Sequence, residues 1–225
     1  MCNLYSLTKG QDAIRHLAKA MRDTTGNLPA LPAVFPDSPA PVVRTAEDGT
    51  RELAMMRWGL PSPAFALKGR KTDPGVTNVR NVTSPHWRRW LGIEHRCLVP
   101  FTSFSEYETT ADGRKVPVWF AAGENRPLLF FAGIWTNWTS TRKVKEGEVS
   151  ADLFAFLTTE ANGVVGPIHP KAMPVILTNE EEIETWMSAP TQEALRLQRP
   201  LLDDALRIVA RGERSDDIAA SGLVV

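Results

Sequence analysis

Apolar and polar positions divide the chain into a short helical opening, a long β-rich middle and a mixed end. In "TKGQDAIRHLAKAMRDTTGN" (8–27), Ile14, Leu17, Ala18 and Met21 recur at helical spacing. Thr8 and Gln11 have capping-box spacing and Gly26 suits a C-terminal cap, so one helix is predicted over most of this stretch. The proline-rich "LPALPAVFPDSPAP" (28–41) excludes regular helix and central strand, and reads as an extended surface loop.

From there the periodicity is that of strands. "PVVRTA" and "RELAMMRWGL" flank "EDG", a hairpin signal, and "RCLVPFTSFSEYET" and "VPVWFAA" flank "TADGRK" in the same way. "RPLLFFAGIW" and "DLFAFLTT" are apolar, aromatic-rich strands, and the polar "TNWTSTRKVKEGEVSA" between them is expected to be a mobile loop. "AMPVIL" is a last strand before a helix over "NEEEIETWMS", capped at Asn179 and acidic in its first turn, as the helix dipole prefers. "TQEALRLQ" and "DDALRIVA" suggest short helices, with a polar tail from about 212. No internal repeat or composition break divides the chain. The expectation is a single α+β domain over residues 1–225, with a twisted, partly closed, barrel-like antiparallel sheet flanked by helices.

Composition changes this picture little but narrows function. With 225 residues, 43% hydrophobic and 23% charged, the chain can bury a core and is not a disordered segment. No apolar run approaches the roughly 18 residues of a spanning helix, and no signal-peptide core is present, so a cytoplasmic location is expected. Basic and acidic residues balance at 26 each, so nucleic-acid binding requires a local basic patch rather than global attraction. Two cysteines and four histidines make no zinc-ligand cluster. No metal or cofactor is expected.

Candidate chemistry begins at Cys2. Its small side chain allows removal of the initiator Met1, which would leave a free α-amine beside a thiol. The amine titrates at about 7.7–8.0 and the thiol at about 8.5, so both have reactive fractions near neutral pH. With an aldehyde the amine forms an imine and the thiol closes on it, giving a five-membered thiazolidine. The other reading is a frayed end with an idle thiol. Either way, reaction requires an open N-terminus.

Asn78 and Arg80 alternate in "TNVRNVT" and share a face if the segment is extended, which suits orienting a polar substrate and gripping a phosphate. Taken alone, a turn asparagine and a solvated arginine are the commoner explanation. In "HWRRW", Trp87 and Trp90 interleave with Arg88 and Arg89, as in single-strand binders; an amphipathic helix with a tryptophan core face fits as well. Glu106, between aromatic neighbours in "FTSFSEYE", would have a raised pKa if buried, but Glu108 shares its face and allows an outward-facing pair. His169, in "GPIHPKAMP", is either a proton shuttle or a satisfied loop histidine. Cys97 in "RCLVP" reads as a small buried hydrophobe.

The order of Cys2, "RWGL" (57–60), "NVR" (78–80), "RCLVP…FSEYE" (96–108) and "TTEAN…IHPKAMPVIL" (158–177) resembles that of the SRAP-domain (SOS response-associated peptidase) abasic-site processing proteins, the YedK/HMCES family. The resemblance runs from Cys2 to about Trp186. It implies capture of the aldehyde of an abasic site in single-stranded DNA as a thiazolidine crosslink on Cys2, after autocatalytic loss of Met1, with strand-cleaving lyase activity as a possible companion. Carried over, Asn78 orients the cysteine and the sugar, Glu106 manages the α-amine proton, and His169 assists ring opening. Arg80 grips phosphate, and Trp58, Trp87 and Arg88 contribute to the DNA surface. A monomer acting on single-stranded DNA is implied. The chain departs from the family pattern at Asn3 and Leu4, where glycine and a phosphate-binding arginine are usual, at Val82, where a glutamate is usual, and in a histidine loop longer by one residue. Two other classes fit the residues alone: an N-terminal-nucleophile cysteine hydrolase, and a non-enzymatic nucleic-acid-binding module.

Overall fold

The computed structural model describes residues 2–216; Met1 and the end of the expected polar tail, 217–225, lie outside them. The strands are, in chain order, β1 (Tyr5–Leu7), β2 (Arg22–Asp23), β3 (Leu31–Val34), β4 (Pro39–Thr45), β5 (Arg51–Trp58), β6 (Asn78–Val79) and β7 (Arg96–Phe101). They continue with β8 (Ser103–Thr109), β9 (Lys115–Ala121), β10 (Leu129–Thr141), β11 (Glu148–Thr159), β12 (Met173–Pro174), β13 (Ile176–Leu177) and β14 (Arg207–Arg211). The helices are α1 (Gln11–Ala18), α2 (Pro85–Arg88), α3 (Glu180–Ser188) and α4 (Thr191–Ala194).

Five strands close on themselves. β5 pairs with β4, β4 with β7, β7 with β10 and β10 with β11, all antiparallel, and β11 returns to β5 in parallel through Leu153 opposite Arg57 and Phe154 opposite Trp58. A second sheet runs β14-β9-β8-β1-β3. The partly closed, barrel-like antiparallel sheet is therefore present, sealed by one parallel pair. Barrel strands are apolar on both faces, and successive side chains enter different cores. Leu98, Phe130, Ala132, Leu153 and Ala155 join Ile14 of α1 and Trp186 of α3, while Val99, Phe131, Phe154 and Phe156 join Tyr5, Phe104 and Phe120 of the second sheet.

The apolar run 96–109 is two strands, not one. Thr102 donates its N–H to Ser6 O at 2.8 Å, and the chain leaves the barrel there for the second sheet. Thr8 donates its N–H to Thr102 Oγ1 at 3.2 Å, so it does not cap the helix. α1 starts from Gly10 without a side-chain cap and ends at Lys19, whose φ of 53° is left-handed. Met21, expected on the apolar stripe, is 79% exposed, and the next two residues form β2 instead.

Four more expectations are corrected. The proline-rich stretch contains β3 and the start of β4; β3 is the edge of its sheet, where a missing N–H is tolerated. The polar stretch 136–151 is mostly hairpin, with Thr141 opposite Glu148, because its threonines and Trp138 suit strands despite their polarity. "AMPVIL" is broken into β12 and β13. "DDALRIVA" is a 3-10 turn followed by β14, whose β-branched residues pair with the β9 edge. The helix at Asn179 is as expected: its side chain accepts from Glu182 N at 2.9 Å.

Gly133 sits opposite Cys97, where β10 and β7 pack closely. A Cβ there would lie 2.7 Å from Cys97 Sγ and 2.8 Å from Val99 Cγ2. Gly133→Ala should lower stability by about 1–3 kcal/mol through overpacking. A urea midpoint equal to wild type would show that the barrel has slack at this point.

Candidate active site

Because β1 starts at Tyr5, the second sheet also fixes Cys2. Cys2 is 1% exposed and belongs to the core that contains Tyr5, Phe104 and Trp58. Its Sγ donates to Leu4 O at 3.4 Å. Burial pushes the thiol well above its ordinary range, the nearby Glu106 charge pushes it further, and the Leu4 and Ser105 backbone offsets part of this. The expected open N-terminus with a partly ionised thiol is therefore corrected: Cys2 is closed to solvent and its sulfur is protonated near neutral pH.

Asn78 enters through β6, which pairs in parallel with β11, Asn78 lying opposite Phe156. It is 6% exposed, and its Nδ2 donates to Cys2 O at 2.8 Å and to Thr77 Oγ1 at 2.7 Å. Its buried Oδ1 has no hydrogen-bond partner among the described residues, so an acceptor is left open beside Cys2. Thr77 Oγ1 in turn donates to Asn3 Oδ1 at 2.8 Å.

Glu106 lies on β8 and is 4% exposed, whereas Glu108 is half-exposed and paired with Arg211. The outward-facing pair is excluded. Burial raises the Glu106 carboxyl to about 7. His169 Nε2 lies 3.9 Å from Glu106 Oε2, and burial holds its imidazole below the usual histidine range. Asn162 shapes the loop that delivers it: Asn162 Oδ1 accepts from Val165 N at 3.0 Å, and Val165 O accepts from His169 N at 2.8 Å. Cys2, Asn78, Glu106 and His169, widely separated in sequence, thus meet in one place.

The remaining candidates divide. Arg80 is exposed and donates to Thr159 O at 3.1 Å and to Lys171 O at 2.5 Å, tying its strand to the histidine loop. Trp58, at 1% exposure, donates Nε1–H to Thr77 O at 3.1 Å and packs edge-on against Tyr5, 5.1 Å between centroids. Trp87 is 8% exposed and packed into the core. Neither tryptophan offers a ring face for stacking. Arg88 is exposed at the end of α2, and among the described residues no hydrogen bond or ion pair joins it to Cys2 and its neighbours.

Sequence reasoning missed an open groove of about 850 Å³ whose lining includes Phe65, Arg70, Lys71, Arg89 and Trp138. Phe65 is 83% and Trp138 39% exposed, and Arg89 lies 5.6 Å over the Trp138 ring. Its walls come from residues 61–73, 84–89 and 138–141. It also missed Thr77 and the Ser105 backbone, which act through geometry that no residue pattern announces. Among the described residues no group of three or more His, Cys, Asp or Glu could hold a metal, and no helix is long and apolar enough to cross a membrane.

The profile of the SOS response associated peptidase (SRAP) family matches residues 1–211. The chain belongs to the SRAP family. It is 30% identical over 161 residues to the abasic site processing protein YoqW of Bacillus subtilis, covering 70% of this chain and 67% of that protein. With the abasic site processing protein HMCES of Pongo abelii it shares 28% over 193 residues, 70% of this chain and 52% of that one. A solved protein from Bordetella bronchiseptica, 22% identical, superposes with a TM-score of 0.69 over 94% of this chain and 98% of its own. That likeness concerns the fold of this SRAP protein.

The raised carboxyl has a thermodynamic consequence. Folded Glu106 keeps its proton to about pH 7, whereas an unfolded glutamate releases it near 4.5, so the folded state holds the extra proton between these values. Its contribution to stability is complete below pH 4.5 and is lost as pH rises through 7. Glu106→Gln lacks this loss and should gain on wild type, by an amount on the order of a few kcal/mol at pH 8 and near zero at pH 4.5. A difference in unfolding midpoint that stays constant across this range would mean that the carboxyl is solvated.

Proposed function

We propose that this SRAP protein captures abasic sites in single-stranded DNA as a covalent thiazolidine on Cys2 once Met1 has been removed. The carrying observation is the meeting of a buried carboxyl, a neutral imidazole and the Asn78 amide at the second residue of the chain. The similarity to proteins named for abasic site processing supports the substrate class.

While Met1 is attached, the Cys2 nitrogen is an amide and cannot attack a carbonyl. The family resemblance assigns cleavage of the Met1–Cys2 bond to the protein itself, with water as the second substrate. Cys2 is closed to solvent, so residues 2–4 must open to admit the sugar. The freed amine then adds to the C1′ aldehyde of the ring-opened deoxyribose and loses one water to give an imine. The thiol adds to the imine carbon, its proton passes to nitrogen, and the five-membered ring closes with one water lost overall. The protonated thiol favours this order, amine first and sulfur second. Glu106, poised near neutrality, takes the ammonium proton and returns it to the departing water. His169, held neutral, assists ring opening as a base, taking the C1′ hydroxyl proton and passing it to the ring oxygen. Asn78 holds the Cys2 carbonyl and offers its open Oδ1 to a sugar hydroxyl or to the new amine.

Strand cleavage by β-elimination needs the imine as electron sink. Ring closure removes that sink, so lyase activity is confined to the interval before sulfur adds. The flanking DNA occupies the groove of Phe65, Arg70, Lys71, Arg89 and Trp138, with Arg80 nearer the lesion. Buried Trp58 and Trp87 act instead as supports. The protein works as a cytoplasmic monomer on DNA and needs no cofactor.

Intact-mass analysis tests the chemistry: wild type should lack Met1 and form a denaturant-stable adduct with an abasic oligonucleotide, minus one water, whereas Cys2→Ala should bind but form none. An adduct on the alanine variant, or amide turnover without DNA, would refute the reading. Replacing Phe65 by alanine should weaken binding of single strands by roughly 1–3 kcal/mol, the range of one stacked base, without altering the adduct's mass. Unchanged affinity would remove the groove from the DNA track.

A further inference from the structure

The segment after β14 was expected to be a tail, yet it is stitched onto the strand that leads from Cys2. Gly212 N donates to Pro117 O at 2.9 Å, and Trp119 Nε1 donates to Glu213 O at 2.8 Å. Asp216 then enters the second sheet and is 5% exposed. Its N–H donates to Pro32 O of β3 at 3.0 Å, and its carbonyl accepts from Ser6 Oγ of β1 at 3.1 Å. Its carboxylate accepts from Ser103 Oγ of β8 at 2.5 Å and from Arg126 Nε at 2.9 Å and Nη2 at 3.0 Å. Arg126 is itself 5% exposed, held by Glu124 O and Val209 O. One residue therefore touches three adjacent strands.

Two of those strands lead to reactive groups. Cys2 lies just before β1, and Glu106 lies three residues after Ser103 on β8. The pairing between them is short: Tyr5 opposite Phe104 and Ser6 opposite Ser103, flanked by Ser105 N–H to Leu4 O at 2.9 Å and Thr102 N–H to Ser6 O at 2.8 Å, with an irregular register between Tyr5 and Leu7 on the other side of β1. A one-residue slip would turn every side chain of β1 to the other face. The Asp216 clasp grips both members of the Ser6–Ser103 pair.

We propose that Asp216 is a positioning residue for the Cys2 reaction: through Ser6 and Ser103 it fixes β1 on β8 and so holds Cys2 against Glu106. This rests on the reaction proposed above. Among the described residues, the titratable groups found to act on Glu106 and its neighbour His169 are the Cys2 thiol, His169 itself and Lys171. Asp216 is not one of them, so its influence runs through the placement of β1 and the dryness that β1 gives Glu106.

Asp216→Asn is compared with wild type at a temperature where both are folded. A carbon-detected titration of the Glu106 side chain should fall from about 7 by about one pH unit as water reaches the carboxyl. The rate of adduct formation at saturating abasic oligonucleotide should fall roughly 10-fold with unchanged affinity for DNA. Should the variant not fold, Ser6→Ala with Ser103→Ala removes the stitches and leaves the Arg126 pair intact, and is read by the same two measurements. A folded variant with wild-type Glu106 titration and wild-type rate overturns the proposal, leaving the clasp purely structural. If wild type forms no adduct, the proposed reaction fails, while the titration still decides whether the clasp keeps Glu106 dry.

Discussion

A carboxyl and a thiol buried side by side cannot both ionise, and this constraint governs everything at the N-terminus. Burial raises both groups, and the Glu106 charge further disfavours the Cys2 thiolate. Glu106 settles near neutrality and Cys2 stays protonated. In the proposed reaction the nucleophile that remains is the nitrogen, which is an amine only when Met1 is gone. On that reading the arrangement delays reactivity until processing, and then supplies a proton carrier of matched strength for the new amine.

The two sheets divide the labour of building that place. The second sheet supplies Glu106 on β8 and, just before the neighbouring β1, Cys2. The barrel supplies Asn78 through the short parallel pair of β6 with β11, and the loop after β11 supplies His169. Trp58 joins the halves: its ring packs on Tyr5 while its N–H holds Thr77 O, next to Asn78. Its role is to keep the Asn78 segment against the N-terminal strand, which explains why so large an aromatic is buried next to reactive polar groups.

Much of this was legible in the residues, and what was not has physical causes. The two tight hairpins and the Asn179 cap are local signals, and they lie where the periodicity puts them. The helix is shorter than its periodicity suggests at both ends: the Thr8 hydroxyl lies 3.3 Å from that of Thr102, 94 positions away, so the helix starts at Gly10 without a side-chain cap, and Lys19 turns left-handed to end it before Met21. The 136–151 stretch read as a loop because polarity was weighed above strand propensity in a hairpin that projects beyond the core. Glu106 was ambiguous by alternation alone; only the crossing of β8 from barrel to second sheet decides that its side chain is inside. The burial of Cys2 has no local signature at all, since it follows from what β1 pairs with.

The departures from the family pattern gain a physical reading from the same contacts. Asn3 is exposed and accepts from Thr77 Oγ1, so it braces the Asn78 segment where the family usually places glycine. Val82 packs against the barrel-side core where the family usually carries a glutamate. With an overall charge of zero, the cations for a nucleic-acid partner must then come from elsewhere, and the structure groups Arg70, Lys71 and Arg89 with exposed Phe65 and Trp138 in one groove. In the proposed reading, this chain has kept the reactive centre of its family and shifted the grip on DNA to the groove, so its preference for flanking sequence and strand polarity follows from the groove's shape rather than from the cysteine's surroundings.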